Sequence, residues 1–229
     1  MASPQHRKKP RRTEYLESAE KKIYIFCEGT QTEPLYFQGF ADAIKSNAIY
    51  KNLVYVHIEG VGADTLRVIN SAEEYVKANQ IKNADIWCVY DQDSFPARDF
   101  NAVSKRASLL NDGPGDVLYK VAWSNQCIEY WFILHFEFYS SNNDRKYYRE
   151  FLHKKFRQLG WKKYEKNNSE LFNIMTEKGN PKRAIKWAEK RLKECKGLTD
   201  AQSAPATKVH LLIQELAKYL PEELQKKYL

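Results

Sequence analysis

Five acidic positions carry the chemistry that this sequence can be read to contain. Glu28, followed by Gly29, ends the apolar run KKIYIFC, and Asp91 and Asp93 follow the run DIWCVY. Glu129 stands in the mostly apolar stretch 127–138, and Glu33 lies five residues beyond Glu28. Carboxylates delivered by separate strands to one sheet edge are hard oxygen ligands, of the kind that suits Mg2+ or Mn2+ and a substrate phosphate. Like charges held that close raise one another's pKa unless a cation lies between them. The chemistry that follows is attack on a phosphodiester by metal-activated water, with the charge on the departing oxygen stabilised. The expected catalytic set is Glu28, Asp91, Asp93 and Glu129. The expected metal ligands are those four together with Glu33.

Each position also has an ordinary reading. A lone Asp-x-Asp is a weak signal, since acidic pairs commonly form surface turns. Its weight comes from its place directly after an apolar strand, matched by Glu28-Gly29 after another. Residues i and i+2 of an extended segment point the same way, so Asp91 and Asp93 are expected to share one cation. Glu33 is equally a helix-start carboxylate favoured by the macrodipole. A buried unpaired Glu129 would be costly, so its plain role is as partner to a nearby Lys or Arg. Asp85 and Glu59 read as strand-edge solvation.

The elements that must position these residues alternate. Strands are predicted at 21–27, 53–58, 85–90 and 117–123, the first and third apolar on both faces as central parallel strands are. Helices are predicted at 33–46, at 65–78 with Asp64 or Thr65 as cap, and at 97–111. This predicts an α/β fold, a doubly wound and mostly parallel sheet, whose ligands bind at the carboxyl ends of the strands. From about residue 141 the composition shifts to helical segments at 143–158, 181–195 and 205–219. The expected organisation is a basic tail over 1–20, a core over 21–140 and a helical C-terminal part over 141–229 packed on it.

The 229 residues carry 37 Lys and Arg against 29 Asp and Glu, for a net charge of +8. That makes a polyanion partner plausible without bearing on fold. The tail's HRKKPRR reads as a solvated segment, with a nucleic-acid-contacting arm as the sharper alternative. The four cysteines form no CxxC pair and the five histidines show no zinc-ligand spacing, so free thiols in a reducing compartment are expected. No apolar run reaches the ~20 residues of a membrane span. With a charged N-terminus, the chain is expected to be cytoplasmic.

IYIFCEGTQTEPLYF (23–37), VYDQDSF (89–95), SNQCIEYWFILHF (124–136) and SAPATKVHLLIQEL (203–216) together resemble the RloB-like family, and more broadly the Toprim fold of primases, type II topoisomerases and OLD-family nucleases. The resemblance implies a Toprim-like fold and a Mg2+- or Mn2+-dependent nuclease acting on DNA or RNA. Glu28 would serve acid/base chemistry, Asp91 and Asp93 would coordinate metal, and Glu129 would complete a two-metal site. Lys182 or Lys208 would be a supporting lysine. It also implies an effector in anti-phage defence beside an ABC-type ATPase partner. The alternative is a catalytically weak binding module in which Tyr36, Tyr90, Trp123, Tyr130 and Trp131 stack on bases, although the ordinary reading of each is a core or rim aromatic.

Overall fold

The protein is described by a computed structural model over residues 19–62 and 65–229. Most of the basic tail and the expected cap Asp64 lie outside the described residues. In order, the elements are β1 (Lys21–Cys27), α1 (Thr32–Ser46), β2 (Val54–Gly60), α2 (Thr65–Ala78), β3 (Ala84–Asp91), α3 (Ala97–Asn111) and β4 (Val117–Asn125). There follow α4 (Glu129–Leu134), α5 (Arg145–Gln158), α6 (Leu171–Glu177), α7 (Pro181–Glu194), a 3-10 turn (Asp200–Gln202), β5 (Ala206–Thr207), α8 (Val209–Ala217) and α9 (Glu222–Tyr228).

The sheet order is β2-β1-β3-β4-β5, with the first four strands parallel and β5 antiparallel to β4. This is the α/β, mostly parallel arrangement expected of a doubly wound, Toprim-like fold. The chain leaves β1 for β2 on one side, then returns past β1 to β3 and β4 on the other. The switch point therefore falls between β1 and β3, where open sheets leave a ligand crevice at the strands' carboxyl ends. β1 from Ile23 onward and β3 along its length are buried on both faces, which is why the runs 23–27 and 86–90 are apolar.

Two apolar layers sandwich the sheet. Ile23, Ile25, Cys27, Trp87, Val89 and Ala122 face α1 and the C-terminal helices through Phe37, Phe40, Leu171, Leu212 and Ile213. Tyr24, Phe26, Ile86, Cys88, Tyr90 and Trp123 face α2 and α3 through Val68, Ile69, Phe100 and Val103. At roughly 1.5–3 kcal/mol for each fully buried large side chain, these layers outweigh any single polar contact at the site. The C-terminal part packs on the sheet as expected and goes one step further. Ala206 and Thr207 pair with Asn125 and Ser124 as an edge strand.

That short strand corrects the helix expected over 205–219, which begins only at Val209. The segment 206–208 is taken up by β4 instead, with Thr207 Oγ1 and Lys208 N binding Trp123 O at 3.1 and 2.8 Å. Asp85 is a second correction. It is buried rather than solvated, because Lys21 and Lys120 on the two flanking strands reach its Oδ2 at 2.7 and 2.8 Å. Burial pushes that carboxyl up, but the two lysines together hold it below the usual carboxylate range. No helix among the described residues is long and apolar enough to cross a membrane.

Candidate metal centre

Glu28 and Asp91 lie side by side at the switch point. Glu28 N donates to Val89 O at 2.9 Å, which continues β1 along β3 by one residue. Asp91 N then donates to Glu28 Oε2 at 3.2 Å, and Thr65 Oγ1 to the same oxygen at 3.4 Å. Asp91 Oδ2 accepts from Ile128 N at 3.0 Å, fixing the entry to α4 and so the place of Glu129. Trp131 Nε1 donates to Tyr36 OH at 3.0 Å, tying the helix that carries Glu129 to α1, which carries Glu33.

Asp93 reaches the same place by a different route from the expected one. The extended backbone ends at Asp91, and Asp93 sits at φ +42, a left-handed conformation that aspartate tolerates. Its N–H is held by Gln126 O at 2.9 Å. The two aspartates thus converge through a turn rather than through strand periodicity.

A cleft of about 330 Å3 opens above this junction, lined by Glu28, Glu33, Asp91 and Asp93, by residues 29–32, and by Gly62 and Lys166. The first turn of α1 faces it, bringing the positive end of the helix dipole. Glu129 lies beneath, fully buried. The five expected residues are therefore brought together at one sheet edge, by four different stretches of chain.

Their charges are expensive where they are. Burial, opposed by the Asp91 N–H and then reinforced by Asp93 and Glu33, lifts the Glu28 carboxyl to about 7. Burial, then the charges of Glu33, Asp93, Glu129 and Glu28, pushes Asp91 well above the ordinary carboxylate range. Burial also raises Glu33, although it occupies the first turn of α1. A helix dipole offers about 0.3–1 kcal/mol against several for desolvation, so burial wins.

Cations outside the expected set answer part of this charge. Arg145 NH1 meets Asp93 Oδ2 at 2.7 Å, while Arg149 Nε and Tyr164 OH meet Glu129 Oε1 at 3.3 and 3.2 Å. Lys166 Nζ stands 3.9 Å from that same oxygen. Glu129 therefore does have the structural partners of its ordinary reading, yet they use one oxygen only. Asp91 Oδ1, Asp93 Oδ1 and Glu129 Oε2 are buried without a hydrogen-bond partner. Each carboxylate has one oxygen tied to protein and one free to bind.

That donor set fits a hard divalent cation: oxygen only, partly anchored, and in excess negative charge. The nearby sulfurs do not compete, since burial keeps Cys27 and Cys127 protonated well above their ordinary range. As they stand, no three His, Cys, Asp or Glu side chains among the described residues close into a finished metal cluster. The ligands are gathered, while Asp93 leans on Arg145 and Glu129 on Arg149.

The lysine expectations fail on position. Lys208 is paired with Asp200 at 3.1 Å and lies over the Trp123 ring, and Lys182 is exposed in the first turn of α7. Neither lines the cleft, whereas Lys166 does. Nothing local in the sequence marks Lys166. It is placed by Tyr164, two residues earlier, whose ring is buried against Phe132, His153 and Phe156. Of the two readings of Tyr36, Tyr90, Trp123, Tyr130 and Trp131 the ordinary one, core aromatics, holds, because they are at most 1% exposed. All five are core, and no base can reach them. The four cysteines are free and buried.

No curated protein and no solved structure matches the chain. One family model does, that of the RloB-like proteins, over residues 23–216. The match spans β1 to the last turn of α8 and contains all five clustered carboxylates. This chain belongs to the RloB-like protein family.

Proposed function

We propose that the protein is a divalent-metal-dependent nuclease of Toprim type, hydrolysing phosphodiester bonds in DNA or RNA. The observation that carries this reading is the set of three buried carboxylate oxygens left without partners at the switch point, on Asp91, Asp93 and Glu129. Mg2+ or Mn2+, when bound, supplies a water activated at neutral pH and a counter-charge for the departing oxygen. Asp91, Asp93 and Glu129, with Glu33 beside them, would hold it. Glu28 exchanges the proton: a carboxyl raised to about 7 exists in both forms near neutrality, as general acid/base work requires. Lys166 and the N-terminus of α1 line the cleft as cationic and N–H partners for the scissile phosphate.

A role as effector in anti-phage defence, with an ABC-type ATPase as partner, rests on the family resemblance alone. The competing reading, a degenerate binding module, sits poorly with five retained acidic residues and with buried aromatics. The test is cleavage of plasmid, single-stranded DNA and tRNA with Mg2+ or Mn2+. Asp91→Asn and Glu28→Gln are expected to lose at least about 100-fold, while Lys182→Ala, outside the cleft, cleaves as wild type. Cleavage that survives Asp91→Asn rejects the site. If wild type is silent, the assay is repeated with the co-expressed ATPase. Cell toxicity that requires the partner and disappears with Asp93→Ala then supports both proposals.

A further inference from the structure

Residues 145–166, comprising α5 and the loop after it, hold nine Lys and Arg against two Glu. That surplus of seven compares with eight for the whole chain. The cleft end of the segment touches the carboxylates through Arg145, Arg149 and Lys166. Lys146, Lys154, Arg157, Lys162 and Lys163 are exposed. The same segment carries the only exposed aromatic rings among the described residues, Tyr147 at 45% and Trp161 at 37%. One lies in the first turns of α5, the other just past its end. Tyr147 stacks on Tyr139 on one side, and in a chain of 31 aromatic residues this coincidence of exposed rings with the charge surplus is the signal.

We propose that α5 and residues 159–166 form a track for single-stranded nucleic acid. Lysines and arginines follow the phosphates, and Tyr147 and Trp161 stack on unpaired bases. Bases in a duplex hide their faces from such rings, so stacking selects an unpaired strand. The recessed site agrees: Asp91 and Glu33 are 8% and 7% exposed and Glu129 is fully buried. A flexible strand can lower one phosphate into that cleft, and a stiff duplex cannot. DNA and RNA strands share this chemistry, and the test separates them. What happens in the cleft rests on the nuclease reading above, but binding to the track does not.

The experiment is fluorescence anisotropy of the full chain in EDTA. The probes are labelled single-stranded DNA, single-stranded RNA and blunt duplex DNA of one sequence. Single strands are expected to bind at least about tenfold tighter than duplex. Trp161→Ala and Tyr147→Ala each weaken single-strand binding about five- to a hundredfold and leave duplex binding unmoved. Replacing Lys162 and Lys163 by Ala lowers the salt slope by about 1.4. Both rings and both lysines are exposed, so these variants keep the fold. Equal affinity for duplex, or aromatic variants that bind normally, overturns the track. If single strands bind as described but no metal supports cleavage, the track stands and the nuclease reading falls. If duplex is cut as well as single strands and both aromatic variants bind normally, the reverse holds.

Discussion

Replacing Glu28 by Gln should stabilise the metal-free protein at alkaline pH while removing activity. A carboxyl that moves from 4.5 in the unfolded chain to about 7 in the fold corresponds to about 3 kcal/mol. The sign follows from proton uptake. The folded state binds the Glu28 proton more tightly, so stability is greatest below pH ~4.5 and falls as pH rises through ~7. Gln removes that titration, and its amide oxygen still accepts from Asp91 N, 3.2 Å from the present carboxylate. The value of about 7 already includes the bonds from Asp91 N and Thr65 Oγ1, so the gap stays at about 3 kcal/mol. For a chain of this size that raises Tm by about 6–12 °C. Thermal melts followed by circular dichroism in EDTA should show this gap at pH 8 and its near-disappearance at pH 5. A variant no more stable than wild type at pH 8, or a gap that persists at pH 5, refutes the claim that these carboxylates are crowded against their preference.

Arg149→Met should be costly, because it strips the nearest cation from a fully buried Glu129 and leaves Tyr164 and the more distant Lys166. A loss of about 2–4 kcal/mol in urea unfolding is expected, and Arg149→Lys should recover part of it. Gly29→Ala and Gly60→Ala separate site from fold. A Cβ at Gly29 meets Glu33 Oε2 at 2.3 Å, a movable side-chain end, so stability should change by less than about 1 kcal/mol while Mn2+ affinity falls. A Cβ at Gly60 meets backbone atoms of Gly29 and Thr30 at 2.8 Å, and should cost about 1–3 kcal/mol. Millimolar Mn2+ should raise the wild-type Tm and leave Asp91→Asn unmoved, since only a ligand of the folded state stabilises it.

Much of the sheet was legible because β1 and β3 are apolar on both faces and break off in Glu28 and Asp91. A covered strand keeps a carboxylate within it only where cations meet it, as Lys21 and Lys120 meet Asp85, so a carboxylate at the end of the apolar run marks both the strand's end and the crevice. β5 was not legible, since two residues carry no periodicity and Ala206–Thr207 is a strand only because β4 offers Ser124 and Asn125. The geometry of Asp93 was hidden by its left-handed turn. Arg145, Arg149 and Lys166 lie more than fifty residues from Asp91, and only tertiary packing brings them to it. The aromatics were ambiguous for a related reason. Composition counts rings, while burial decides which ones a base can touch, and Tyr147 and Trp161 look no different in sequence from Tyr148 and Trp131.

The most direct test of the metal centre is anomalous diffraction at the manganese edge from crystals grown with Mn2+. The account predicts a peak within bonding distance of Asp91 Oδ1 and Asp93 Oδ1, with Glu129 Oε2 or Glu33 turned toward it and Arg145 withdrawn from Asp93. A peak elsewhere, or none while the Arg145–Asp93 and Arg149–Glu129 pairs stay closed at saturating Mn2+, contradicts it.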